Sequence, residues 1–181
     1  MKPSRRHRPL PPLDEARLNE LGLRYVGRFA TSRAKLRSYL NRKLRERGWD
    51  GIAEPNIAAI AERFASQGYV DDSSYALSKA RSLTERGYGE RRITQALKLA
   101  GIEEGEAIEA REHADAEAVS AALRFARRRR VGPFADSASD DPRQTEKALA
   151  AMIRAGHPFE LSRTILSLPP GTEVDADQLR G

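Results

Sequence analysis

Cysteine is absent from the 181 residues, which removes disulfides, thiolate zinc sites and cysteine nucleophiles together and fits a reducing compartment. No apolar run approaches the roughly 20 residues that span a bilayer. The opening stretch, MKPSRRHRPLPP, lacks the hydrophobic core of a secretory signal, and its prolines spoil the amphipathic helix of a transit peptide. The expectation is a cytoplasmic protein that does not engage membranes. Period-two alternation of apolar and polar residues is also missing, so a sheet has nothing to grow from. Only three histidines occur, His7, His113 and His157. They are far apart, and none has the helical partner that a metal site uses. There is neither a glycine-rich phosphate loop of the nucleotide-binding kind nor a serine elbow. The chain therefore offers no catalytic residues, no metal ligands and no cofactor site, and an enzyme finds no support.

What is present is charge, unevenly spread. The net value of +6 arises from 32 cations and 26 anions. Residues 1–50 hold 14 positive and 5 negative groups, residues 101–120 hold 1 and 7, and residues 121–163 turn basic again with 9 and 5. Separate basic surfaces divided by an acidic segment attract phosphates or acidic proteins. Arginine accounts for 26 of the cations. Its planar fork suits bidentate contact with phosphate and carboxylate, although a GC-rich genome raises arginine content as well.

Three glycines, Gly48, Gly101 and Gly156, each close a basic helical stretch, and they recur 53 and 55 residues apart. Four and eight residues before them stand Leu44 and Leu40, Leu97 and Ile93, Met152 and Ala148, which places a similar apolar stripe ahead of each glycine. One helical unit used three times accounts for this spacing. Residues 1–12 read as a flexible basic arm. Unit one, over 13–70, has a helix from about Leu13 to Ala30, another capped by Thr31 or Ser32, and a third entered at Pro55. Unit two, over 71–115, follows without a linker, and its third helix, from about Glu104 to Ala114, is short and acidic and could run on into unit three. Unit three, over 116–168, contains the run Arg127–Arg130, then Asp141, Pro142 and Gln144 as a cap, a preset first position and a capping-box partner. Residues 169–181 form a tail. The paired acids Asp71–Asp72 and Asp140–Asp141 precede helices, where their oxygens are expected to cap backbone amides rather than to act as an acid/base pair. The fold class is all-α.

The segments GYVDDSSYALSKARS (68–82), GYGERRITQALKLAGI (87–102) and SRAKLRSYLNRKLRERGW (32–49) resemble, in order, motifs of the RecX family of bacterial recombinase regulators. RRRRVGPF (127–134) is similar to the third unit of that family's proteobacterial members. The likeness spans about residues 15–168. A departure falls at His157–Pro158, where the family often has an aromatic directly after the glycine. The resemblance implies an elongated, curved array of three tandem three-helix units. It also implies a partner, the RecA recombinase in its filament on single-stranded DNA, whose growth, ATP hydrolysis and strand exchange the protein would restrain as a monomer. Weak duplex DNA binding would accompany this.

Candidate contacts for recombinase or DNA are Arg33, Arg37 and Arg42 in unit one, Arg81, Arg86, Arg91 and Arg92 in unit two, and Arg127, Arg128, Arg129 and Arg130 in unit three. Four consecutive arginines exceed one helical turn, so they cannot share a face. Tyr88 could stack on a base or fill the core, and core is the expected role. The competing reading is an autonomous DNA-binding protein of helix-turn-helix type, with a helix such as Glu90–Ala100 in the major groove.

Overall fold

The computed structural model describes residues 11–138 and 141–179. Outside that range lie most of the expected basic arm with His7, the Asp140 half of the second acid pair, and the last two residues of the tail. Among the described residues the structure is all-α, with nine α-helices and no strand. The chain divides after Asp72 into two compact units.

In the first unit, α1 (Glu15–Val26), α2 (Arg33–Arg47) and α3 (Ile57–Ser66) enclose Leu18, Leu36, Leu40, Ile60, Ala61 and Phe64. Their apolar positions recur at helical spacing, so each helix gives one stripe to a shared core. α1 begins later than the sequence predicts. Leu13 is extended and pairs with Trp49, its N–H reaching the Gly48 carbonyl at 2.9 Å and its carbonyl accepting from Asp50 N–H at 2.8 Å. Asp14 then caps the helix by accepting from Arg17 N–H. α1 also ends at Val26, which leaves Phe29 beyond it and 57% exposed. Ser32 caps α2, accepting from Lys35 N–H at 3.2 Å. Asn56, one residue after Pro55, caps α3.

The second unit contains α4 (Asp72–Glu85), whose first residue belongs to the first unit, then α5 (Glu90–Leu99), α6 (Ile108–Ala116), α7 (Ala118–Arg129), α8 (Pro142–Arg154) and α9 (Phe159–Ser167). One apolar cluster joins Ala76, Ala80, Leu83, Ile93, Leu97, Ala110 and Ala114 from α4, α5 and α6. A second joins Ala122, Phe125, Ala126, Met152, Ala155 and Ile165 from α7, α8 and α9. Tyr88 packs against both. The acidic segment starts as a 3-10 turn, Gly105–Ala107, before α6. Glu117, at φ −94° and ψ 4°, separates α6 from α7, so the two are distinct helices joined by a single residue.

Gly48, Gly101 and Gly156 all take positive φ, at 80°, 71° and 98°, the conformation that residues bearing a Cβ resist. The other left-handed positions are also glycines, with one exception among the described residues: Arg130, at φ 52°.

Candidate functional site

The turn between α4 and α5 meets the turn between α8 and α9 backbone to backbone. Gly89 N–H donates to the Ala155 carbonyl at 2.9 Å, and Arg91 N–H to the Gly156 carbonyl at 3.3 Å. A Cβ on Gly89 would stand 2.4 Å from the Gly156 oxygen, and one on Gly156 would stand 2.5 Å from Arg92 N. Glycine at both positions is thus what lets the chains touch. His157, 1% exposed, fixes the same seam, with its Nε2 3.1 Å from the Gly87 carbonyl and its ring edge-on to Phe125 at 5.6 Å. A carbonyl only accepts, so Nε2 carries the proton and Nδ1 is a buried lone pair without a partner. Burial lowers the pKa of this imidazole, opposed by the bond to Gly87, and the ring is neutral at pH 7.

This seam brings four chain segments to the rim of one open cleft of about 600 Å³. The α4–α5 turn contributes Arg86 and Tyr88, the first turn of α5 contributes Arg92, the last turn of α7 contributes Arg128 and Arg129, and the last turn of α8 contributes Arg154. Cations gather readily at the ends of α7 and α8, where the helix dipole is negative. Tyr88 is half-buried, and the Cζ atoms of Arg86, Arg92 and Arg128 lie 5.5, 5.9 and 6.0 Å from its ring centre. Arg128 and Arg129 also approach the Phe125 ring, at 5.5 and 5.7 Å. Arg128 donates to the Arg86 carbonyl. All five arginines are exposed. Among the described residues, none of the five forms an ion pair with a carboxylate.

Four of the sequence-predicted residues therefore converge: Arg86, Arg92, Arg128 and Arg129. Arg154 joins them without having been singled out, because no local pattern distinguishes it; it reaches the rim only through the Gly156 contact. The remaining candidates go elsewhere. Arg33 is tied down in the first unit, its backbone N–H and Nε bonding the Asp72 carboxylate at 2.8 and 3.1 Å and its side chain reaching Glu62 at 3.2 Å. Arg37 is exposed on α2, and Arg42 lies 3.6 Å from Glu46 and over Tyr39. Arg81 stands on α4 beside Ser74, Ser78 and Glu85. The Arg91 side chain is exposed outside the cleft. Arg127 covers the Phe134 ring at 4.7 Å and borders a separate hollow with Glu173 and Asp175. Arg130 approaches Asp136 at 3.7 Å. The run of four thus points three ways.

No helix among the described residues is long and apolar enough to cross a membrane, and no group of three or more of their acidic or histidine side chains is placed to hold a metal ion. Short helical bundles with a guanidinium-lined cleft define the class: an all-α regulatory protein.

A family model described as RecX, second three-helix domain, matches residues 71–110. The chain is 29% identical over 162 residues to the regulatory protein RecX of Myxococcus xanthus, covering 84% of this chain and 86% of that one. It is 28% identical over 138 residues to the regulatory protein RecX of Agrobacterium fabrum, covering 74% and 73%. In fold it is similar to the crystal structure of RecX from Lactobacillus salivarius, with a TM-score of 0.58 at 20% identity over 83% of this chain and 92% of that one. The chain belongs to the RecX family.

Proposed function

We propose that this protein binds the RecA recombinase and its filament on single-stranded DNA, and that it restrains filament growth, ATP hydrolysis and strand exchange. It acts as a monomeric cytoplasmic regulator and not as an enzyme. The observation that carries this reading is the cleft at Tyr88, where five guanidiniums from four chain segments converge without carboxylate partners. Such a concentration of unneutralised charge favours a polyanionic partner, and a nucleoprotein filament combines acidic protein surface with phosphate. The relatives named regulatory protein RecX supply the regulatory context.

The helix-turn-helix alternative fares worse. A recognition helix reads base edges with its N-terminal residues, yet the first turn of α5 is engaged by the Ala155–Gly156 backbone through Gly89 and Arg91. The deciding experiment is the single-strand-dependent ATPase of the cognate RecA titrated with this protein. Inhibition at substoichiometric amounts is expected, and a flat titration removes the proposal.

A further inference from the structure

The geometry points to a division of labour within that function: we infer that the Tyr88 cleft seats the phosphodiester backbone of a single strand, by charge and guanidinium shape, without reading its bases. This rests on the proposed function and assigns the nucleic-acid half of the filament to a surface of the second unit.

Elsewhere in the chain, arginines have found carboxylates. Arg24 lies 2.6 Å from Glu20, Arg124 2.6 Å from Glu117 and Arg163 2.9 Å from Glu160. Arg86, Arg92, Arg128, Arg129 and Arg154 have none among the described residues, although they crowd one cleft of about 600 Å³. A partner that neutralises them must bring several negative charges close together, as consecutive phosphates do. An acidic protein segment could bring charge, but affinity between proteins comes mostly from apolar or aromatic anchors seated in pockets. Here the rest of the lining offers no such hole. It consists of Ala151, Ala155, the half-buried Tyr88 and Phe125, the last 4% exposed and already part of the core.

Duplex DNA fits less well. It is stiff over about 150 base pairs and lays few phosphates into a hollow between helix ends, whereas a single strand can bend to place several there. Base stacking is disfavoured by the state of Tyr88. One part of the ring is packed against the two apolar clusters, and three guanidiniums surround the remainder. The ring holds cations in place instead of presenting a free platform, so the cleft takes phosphates in any sequence context.

The test is fluorescence anisotropy on the full chain with short oligothymidylate. Four comparisons accompany it: an abasic strand with the same number of phosphates, the matching duplex, polyglutamate, and inorganic tripolyphosphate as competitor. Oligothymidylate and the abasic strand should bind within about twofold of each other, with duplex and polyglutamate weaker by about tenfold or more, since phosphate contacts dominate such affinity. Tripolyphosphate should compete only weakly, because it offers fewer contacts than a strand. Arg92→Gln, Arg128→Gln and Arg154→Gln combined should lose about tenfold or more, with the salt slope reduced by about 0.7 for each contact removed. The melting temperature should stay unchanged, because all three side chains are exposed.

Polyglutamate binding as tightly as the strand would make the cleft a protein-docking site and overturn the inference. An abasic strand that binds tenfold worse would mean that bases are read, and tripolyphosphate competing as strongly as a strand would mean a free-phosphate site. A triple variant that melts like the parent and binds DNA like the parent would also overturn it. The first comparisons use the unaltered chain and need no variant to fold. If that variant retains DNA binding but no longer inhibits RecA, the inference fails while the proposed function stands. If the parent leaves the RecA ATPase untouched yet binds strands through the cleft, the reverse holds.

Discussion

The imidazole of His157 and the carbonyl of Gly87, 70 residues apart in sequence, meet at 3.1 Å in the interior of the second unit. The bond needs the neutral tautomer with hydrogen on Nε2, and a second proton on the buried Nδ1 would find no acceptor. Burial accordingly holds the pKa of His157 below the ordinary value of 6.5. From about pH 6.5 downward the unfolded chain takes up a proton that the folded chain refuses, so stability falls as pH falls, by up to about 1.4 kcal/mol per pH unit until the folded-state pKa is reached. Above that window the effect vanishes. Urea unfolding of the parent and of His157→Phe should diverge in pH dependence between about pH 7.5 and 5, the variant giving the flatter profile. Parallel profiles would show that another group controls the acid limb.

Gly156 combines two requirements. Its φ of 98° is costly for any residue with a Cβ, and a Cβ there would stand 2.5 Å from Arg92 N. Gly156→Ala should therefore destabilise the second unit by about 2–4 kcal/mol, adding left-handed strain to overpacking. Chemical denaturation measures this directly. A loss under about 0.5 kcal/mol would mean that the two turns can separate at little cost.

Asp72 caps a helix that is not its own. The acid pair Asp71–Asp72 is expected from sequence to cap the helix that follows, but the Asp72 carboxylate, its side chain 3% exposed, accepts from the first amide of α2 and from the side chain of Arg33. A carboxylate at a helix N-terminus gains from the dipole and from charge-assisted bonds. Asp72→Ala should cost about 2–3 kcal/mol in unfolding free energy, and Asp72→Asn about half as much, because the amide oxygen still accepts from the backbone. Equal losses would point to packing instead of hydrogen bonding.

Arg130 occupies the left-handed position that ends α7, with φ 52° and its N–H on the Arg127 carbonyl at 3.1 Å. Arg130→Gly relieves that backbone and should raise stability by about 1 kcal/mol. A lowered melting temperature would show that the contact with Asp136 outweighs the strain.

These relationships mark where sequence reasoning reaches and where it stops. The apolar stripes of α2, α3, α5 and α9, and the glycines that close helices, are legible because both depend on local periodicity and local backbone sterics. Leu13 reads as helical by the same rule, yet it is extended, since its partner is Trp49 and no neighbour in sequence reports that pairing. Arg33 looks like a free basic side chain until Asp72 is placed against it. The cleft was half visible: Arg86, Arg92, Arg128 and Arg129 stand out by charge clustering. Arg154 reaches them only through a glycine-to-glycine contact between two turns, which composition does not encode. His157, an expected packing residue, is buried as anticipated, but its bond to Gly87 depends on that same contact.

Arg127 and Arg128 are adjacent in sequence and differ in surroundings, so the pair separates general charge from cleft geometry. Arg127 lies over Phe134 and borders Glu173 and Asp175, while Arg128 faces Tyr88 and the cleft. Removing either lowers the net charge by one, and long-range attraction to a polyanion should fall equally in both variants. Only Arg128→Ala removes a fork from the cleft. It should weaken single-strand binding by about 1–2 kcal/mol at moderate salt, against less than about 0.5 kcal/mol for Arg127→Ala. The gap should persist as salt rises, because screening acts on the shared long-range part first. Equal losses that vanish together in high salt would reduce the arginine run to a diffuse basic surface with no defined seat.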